Sequence, residues 1–140
     1  MMRTETEKQG VLMKRIMHDP LTGIYRATND YVHATEALSP ARLLFISGTM
    51  GLDDKGHAGK TIDEQLELIW SNIAVILRHA DMTEQNIVKV TTFLTDPTFA
   101  DANAKWRMKA LGNQPVATTS VIVQTLDPTW LLEIDAIAAA

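Results

Sequence analysis

The chain has 140 residues, of which 46% are hydrophobic and 21% charged, a composition that fits one globular domain over residues 1–140 and excludes a disordered chain. A net charge of −4 makes nucleic acid an unexpected partner, because phosphate binding requires a concentrated basic surface. The absence of cysteine excludes disulfides and thiolate metal sites, and it makes a cytoplasmic location the default expectation. No apolar run approaches the ~20 residues that span a bilayer, so we expect no membrane partner.

The first forty residues predict a polar tail and two short strands. Residues 1–10 are polar and mixed in charge, so we expect a flexible tail there. Residues 11–17 alternate weakly and predict an edge strand, and residues 18–23 contain the proline and glycine of a turn. A second strand is predicted at residues 31–38.

The middle of the chain predicts a buried strand followed by a long helix. Residues 43–49, LLFISGT, form a short apolar run that ends in small residues, and residues 53–56 predict a turn. Thr61 and Glu64 have the spacing of a capping box, so the helix begins there and ends near residues 79–82. One apolar stripe at helical spacing contains Leu66, Ile69, Ile73, Ile76 and Leu77.

The last third predicts strand, helix, strand and strand. Residues 86–96 are rich in β-branched side chains and predict a central strand, which Asp96-Pro97 ends. Thr98 is the predicted cap of a second helix over residues 99–111. The closing segments, residues 117–124 and 130–138, predict two strands joined by an Asp-Pro turn as a hairpin.

This order of elements predicts an α+β fold, with a mixed, mostly antiparallel sheet and both helices on one face. The helix between residues 43–49 and 86–96 is long enough for a crossover, so we expect these two strands to pair in parallel. The strands are apolar on both sides, and the chain has no further helix for the second face. We therefore expect another subunit to cover it.

Glu133 is the best acid–base candidate in the sequence. It lies two residues from Asp135, so both carboxylates share one face of the last strand and require water or partners. A wet sheet edge or an arginine partner explains Glu133 equally well. The basic clusters are interpreted as solvated faces and comprise Lys14, Arg15, Lys105, Arg107 and Lys109.

The histidines are too far apart along the chain to have the spacing of metal ligands, so we expect no metal site. His33 is the exception of interest, because it lies on a predicted strand close to Tyr31. Tyr31, Ser47 and Asn103 are further candidates to donate hydrogen bonds in a pocket.

Several segments, taken in order, resemble the RidA/YjgF family, also known as the endoribonuclease L-PSP family. The resemblance covers residues 31–138 and includes LLFISGT, DEQLELIWSNIAVIL, NIVKVTTFLTD and LLEIDAIA. The spacing of Asp96, Phe99, Asn103 and Trp106 is also similar to the family pattern. The resemblance implies a YjgF-like (chorismate-mutase-like) fold and a homotrimer whose sheets form a central barrel, with a ligand cleft between each pair of subunits.

The family resemblance also implies a reaction, the cofactor-independent hydrolysis of reactive imines and enamines to a carbonyl compound and ammonia. By this resemblance, Glu133 positions or activates the attacking water. The substrate-binding positions carry over to Tyr31, Ser47, Gly48, Asn103 and, through its backbone amide, Ser120.

One family residue does not carry over, because Thr118 occupies the position of the arginine that binds the substrate carboxylate. Threonine cannot replace the planar guanidinium fork. Either His33 or Arg26 of a neighbouring chain enters the cleft, or the ligand has no carboxylate and Thr118 with Ser120 forms a neutral polar pocket. We favour the second interpretation.

Two functions follow as hypotheses. The first is a divergent imine or enamine deaminase, or a related hydrolase, that acts on a small carbonyl-derived metabolite and in which the usual activity on 2-aminoacrylate is doubtful. The second is a non-catalytic homotrimer that binds a small metabolite or a partner protein. Ribonuclease activity is disfavoured by the net negative charge and the missing basic stripe.

Overall fold

The computed structural model describes residues 13–140, and the predicted tail at residues 1–10 lies outside them. Short 3₁₀ turns at Glu84–Asn86 and Pro97–Phe99 precede the fourth strand and the second helix. The elements of the described residues, in chain order, are β1 (Lys14–His18), β2 (Ala34–Leu38), β3 (Leu43–Met50), α1 (Ile62–His79), β4 (Ile87–Leu94), α2 (Ala100–Ala110), β5 (Ala117–Ile122) and β6 (Leu132–Ala139).

The main sheet has the strand order β3-β6-β4-β5, and β1 pairs with β2 in a separate antiparallel ribbon. Strand β6 is antiparallel to both β3 and β4, whereas β4 and β5 are parallel and are joined through α2. Both helices pack on one side of this sheet, as the burial pattern of its strands shows. The predicted α+β fold with a mixed, mostly antiparallel sheet is confirmed.

Two predicted strand pairings are wrong. Strands β3 and β4 run in the same direction but are not neighbours, because β6 lies between them. The closing strands β5 and β6 form no hairpin, because β4 lies between them. The physical reason is the apolar face of β6, where alternate residues from Leu132 to Ala138 are buried, so that this strand is most stable in the centre of the sheet.

Helix α1 begins and ends as the sequence predicts. Thr61 Oγ1 accepts a hydrogen bond from the Glu64 amide at 3.1 Å, and the Glu64 carboxylate accepts one from the Lys60 amide at 2.6 Å. Four of the five residues in the predicted stripe are buried, but Ile76 is 37% exposed. Ile76 lies about 100° around the helix from Leu77 and so falls at the edge of the buried face.

The start of α2 differs from the prediction. Asp96 caps the 3₁₀ turn Pro97–Phe99, since its carboxylate accepts from the Thr98 amide at 2.8 Å. Helix α2 begins directly after Phe99 and has no side-chain cap of its own, so Thr98 does not cap it. Pro97 takes the first position of the turn, where its missing N–H costs nothing, so the capping residue must precede it. The buried residues of α2 are both polar, Asn103 and Arg107. This helix therefore presents polar groups toward the interior of the protein.

The two faces of the sheet differ in their surroundings. Val90 and Leu94 on β4, like the even-numbered residues of β6, face the helices in the core. The opposite face is open in a single chain, and Phe45, which is paired with Ile137, is 70% exposed on it. Among the residues described, no helix is both long enough and apolar enough to cross a membrane.

Candidate functional site

A cavity of about 270 Å³ lies between α2 and β5. Four of the residues predicted for the site line it together, namely Tyr31, Asn103, Thr118 and Ser120. The register of the parallel pair explains why β5 contributes two of them. Thr118 is opposite Val90 and Ser120 is opposite Thr92, and both partners are buried toward the helices.

Arg107 also lines this cavity and is not among the residues predicted for the site. It was expected on a solvated face, but it is only 3% exposed, because α2 packs this side against the loop before β2. Its Nη2 donates to the Asp30 carboxylate at 2.7 Å and to the Asp30 carbonyl oxygen at 3.1 Å. The signal that could have revealed it is its spacing, since Arg107 lies one helical turn after Asn103 and therefore on the same face.

The Asp30–Arg107 ion pair is charged at neutral pH. Burial alone would raise the pKa of Asp30, but hydrogen bonds from Thr28 and Arg107 and the guanidinium charge outweigh burial and hold this pKa below its ordinary value. Burial lowers the pKa of Arg107, and Asp30 partly opposes that change. Arginine nevertheless remains protonated in proteins.

Three buried polar atoms on or beside the cavity wall have no hydrogen-bond partner within residues 13–140. They are Asn103 Oδ1, Arg107 Nε and Thr92 Oγ1, the last on the strand next to Ser120. Folded proteins pair nearly all such atoms, because an unpaired buried donor or acceptor costs about 1–3 kcal/mol. The cavity therefore offers donors and acceptors that suit a polar ligand.

Three further residues that the family resemblance indicates for the site lie away from this cavity, namely Ser47, Gly48 and Glu133. A Cβ atom added to Gly48 would lie 2.9 Å from Glu133 Oε1, so the carboxylate lies directly against that glycine. Ser47 and Gly48 line a separate surface depression of about 490 Å³ near Asp53 and Asn72. Glu133 is opposite Phe93 on β4 and shares the open face of the sheet with it.

The sheet separates the two groups within one chain. Thr118 and Ser120 face the helices, whereas Glu133 faces the opposite side. A single chain therefore cannot bring the Glu133 carboxylate and the cavity lined by Asn103 to one ligand.

His33 lies beside the cavity but does not line it. Its Nε2 is 2.8 Å from the Tyr25 carbonyl oxygen, and its ring makes edge contacts with Tyr25 and Tyr31 at centroid distances of 5.0 and 6.0 Å. Arg26 is exposed and is likewise absent from the lining. Within the described part of the chain, no group of three or more His, Cys, Asp or Glu side chains has the arrangement needed to hold a metal ion.

Comparisons with known proteins converge on one family. A family model described as Endoribonuclease L-PSP matches residues 24–140. A RutC family protein of Pyrococcus horikoshii is 33% identical over 107 residues, which cover 74% of this chain and 84% of the relative. The RutC family protein YjgH of Escherichia coli is 31% identical over 80 residues, 54% of this chain and 61% of that protein.

Solved structures agree with the sequence comparisons. The Rid family protein YyfB of Yersinia pestis superposes with a TM-score of 0.77 at 25% identity, covering 90% of this chain and 98% of that one. A member of the YjgF/YER057c/UK114 family from Mycobacterium tuberculosis superposes with a TM-score of 0.62, also at 25% identity, over 91% of this chain and all of that one.

Proposed function

Because this chain belongs to the endoribonuclease L-PSP family, the RidA/YjgF family of the sequence analysis, we propose that it is a homotrimer that hydrolyses a small imine or enamine in clefts between its subunits, without a cofactor. The observation that carries the proposal is the cavity that brings together Tyr31, Asn103, Thr118 and Ser120. These residues are far apart in sequence and offer hydrogen bonds rather than a nucleophile or a metal. Such a set binds and orients a small polar ligand.

The reaction needs only water. A water oxygen forms a bond to the imine carbon while the π electrons move to nitrogen, which takes a proton. The resulting carbinolamine then breaks its C–N bond, so that ammonia and a carbonyl compound leave. A carboxylate that holds the water and accepts its proton assists the first step, and Glu133 has this role in the proposal. Hydroxyl and amide donors that line the cavity stabilise the polar intermediate.

The open face of the sheet supports a site that two chains share. Exposed Phe45 and Val121 need cover, at 70% and 40% exposure, and a second copy of the sheet supplies it. In the proposed assembly the neighbour also reaches the β5 edge of the sheet, where Thr118 and Ser120 lie, so that the Glu133 of one chain meets the cavity of the next. This arrangement resolves the separation of Glu133 from Asn103 by the sheet within one chain.

Mixed trimers test the shared site directly. Glu133→Ala and Asn103→Ala are each expected to lower imine hydrolysis at least about tenfold as pure trimers. Coexpression of the two variants creates some interfaces at which both wild-type residues meet. Activity above that of either pure variant is expected there, measured as ammonia release from freshly generated imines above the spontaneous rate. No recovery, or full activity in the Glu133→Ala trimer, would refute the shared catalytic site.

A non-catalytic binding protein is the second candidate, and Thr118 is the observation that favours it. A substrate carboxylate finds no arginine at this position, and Arg107 is already paired with Asp30. If the wild type leaves 2-iminopropionate at its spontaneous rate and Thr118→Arg accelerates its hydrolysis, the chain has kept the cleft and lost that reaction. Acceleration of neutral imines by the wild type would instead favour the enzyme.

A further inference from the structure

One wall of the 270 Å³ cavity carries two buried groups with unused hydrogen-bonding capacity. Asn103 is 2% exposed and Arg107 is 3% exposed, yet Asn103 Oδ1 and Arg107 Nε have no partner within the described residues. Both residues line the cavity and lie one turn apart on α2. Each residue therefore has one unused hydrogen-bonding atom, an acceptor on Asn103 and a donor on Arg107.

The charges on the cavity wall balance. Asp30 and Arg107 are the charged residues that line it, and they are paired at 2.7 Å. The remaining polar residues of the lining are neutral hydroxyl or amide side chains. A ligand carboxylate placed at Arg107 Nε would lie close to the Asp30 carboxylate, and two like charges at such a distance repel strongly. The guanidinium thus offers a hydrogen bond without offering a free positive charge.

We propose that this cavity selects a neutral, amide-like group, whose carbonyl oxygen accepts from Arg107 Nε–H and whose N–H donates to Asn103 Oδ1. Primary amides, ureas and carbamoyl groups carry a carbonyl acceptor and an N–H donor on the same carbon. A carboxylate has no donor and carries a charge that Asp30 opposes. The inference rests on the proposed function, because it takes the ligand of this cavity to be the substrate of the cleft. The substrate class is then an imine or enamine that carries a carboxamide or ureido group.

A pair of probes of equal size separates the two ligand classes. We would titrate ¹⁵N-labelled full-length protein with propionamide and with propionate, and follow the Arg107 Nε–H and Asn103 side-chain NH₂ signals by NMR. Propionamide is expected to shift both signals and to bind at least about tenfold more tightly than propionate, which corresponds to about 1.4 kcal/mol. Asn103→Leu, which removes the acceptor, is expected to abolish the preference.

Removal of the opposing charge is expected to change the selectivity. Asp30→Asn keeps an oxygen acceptor for Arg107 but frees the positive charge, so propionate should bind at least about tenfold more tightly while propionamide changes little. The matched control is Asp101→Asn. Asp101 is exposed on α2, the helix of Arg107, and does not line the cavity. If Asp30→Asn fails to fold, the comparison of the two probes on the wild type remains decisive.

Two results would overturn the inference. Propionate could bind the wild type as tightly as propionamide, or neither probe could shift the Arg107 and Asn103 signals, which would mean that the cavity holds only water. Binding is read independently of turnover, so the two proposals fail separately. Imine hydrolysis without amide binding overturns the ligand class alone, and amide binding without hydrolysis of any imine overturns the proposed reaction alone.

Discussion

At the scale of single residues, Asp30 links protonation to stability. Its pKa is held below the ordinary value, so its ion pair with Arg107 stabilises the fold above the ordinary pKa of 3.8, and the contribution is lost as the pH falls through the lowered value. We expect Asp30→Asn to be about 1 kcal/mol less stable than the wild type at pH 7, a figure that allows for screening of a side chain that is 33% exposed.

The difference between Asp30→Asn and the wild type should disappear as the pH falls below the lowered pKa of Asp30, where the wild-type carboxyl is also neutral. Urea unfolding of both proteins over a pH series measures this effect. A difference that is constant with pH would show that the loss comes from packing and not from ionisation.

An added methyl group is expected to change the unfolding free energy by different amounts at Gly48 and Gly51. At Gly48 a Cβ meets the mobile end of Glu133 at 2.9 Å, whereas at Gly51 it meets the Gln65 Cα at 2.5 Å. Gly48→Ala should therefore cost less than about 1 kcal/mol in unfolding free energy, because the carboxylate can rotate away. Gly51→Ala should cost about 2–3 kcal/mol, because backbone must move. Chemical denaturation of the two variants side by side tests the contrast.

If Glu133 holds the attacking water, the displaced carboxylate of Gly48→Ala should also lower imine hydrolysis at least about tenfold. Ser71→Ala, at an exposed position of α1 away from Glu133, serves as the control for this measurement. Unchanged turnover in Gly48→Ala would show that the contact has no role in the reaction.

The sequence indicates the residues of the cavity better than it indicates their charges. Tyr31, Asn103, Thr118 and Ser120 were predicted for one site, and they line one cavity. Arg107 was assigned to solvent, since a charged residue on a short helix is usually exposed. Its spacing from Asn103 indicates the face of α2 on which Arg107 lies, but its burial and its ion pair depend on the three-dimensional approach of the Asp30 loop to α2.

At the scale of elements, Gln65 connects α1 to two loops. Its Nε2 donates to the carbonyl oxygens of Gly59 and Thr129, both at 2.8 Å, and its Oε1 accepts from the Leu131 amide at 2.9 Å. Gln65→Leu has a similar volume but leaves these three backbone groups unpaired. We expect a loss of about 3 kcal/mol in unfolding free energy. Glu67→Leu, at an exposed position of the same helix, is the control.

Thermal or chemical unfolding of the Gln65→Leu and Glu67→Leu variants distinguishes this connection from a general effect of apolar substitution. Equal stability of the two variants would contradict a bridging role for Gln65. Hydrogen exchange at the Leu131 amide gives a second, local measurement, and faster exchange is expected in Gln65→Leu alone.

Helix and strand positions were predictable from the sequence, but the pairing of strands was not. Caps and apolar periodicity located α1 closely, because these signals are local. The same periodicity shows which face of β3 or β6 is buried without showing which strand lies beside it. The placement of β6 between β3 and β4 depends on contacts between residues about ninety positions apart, such as Phe45 with Ile137.

At the scale of the whole molecule, the open sheet face predicts self-association. Phe45→Glu places a charge on that face, on the edge strand β3, and should reduce the assembly to a monomer of 15.5 kDa, with loss of imine hydrolysis. Val75→Glu is the matched control, since Val75 is 60% exposed on α1, on the side of the helix away from the sheet.

Light scattering measures the masses of the two variants. The wild type and Val75→Glu are expected at about three times the monomer mass. A wild type that is monomeric at micromolar concentration would refute both the trimer and the shared cleft.

The central position of β6 also has a consequence for the order of events during synthesis. Strands β3 and β4 have β6 as their common neighbour, and they leave the ribosome well before it. Until residues 132–139 emerge, β3 and β4 cannot join one sheet, because β6 lies between them. The apolar face of α1 therefore lacks the complete sheet on which it packs. Early folding is therefore limited to local pieces such as α1, and the nascent chain should bind chaperones up to that point and release them soon afterwards.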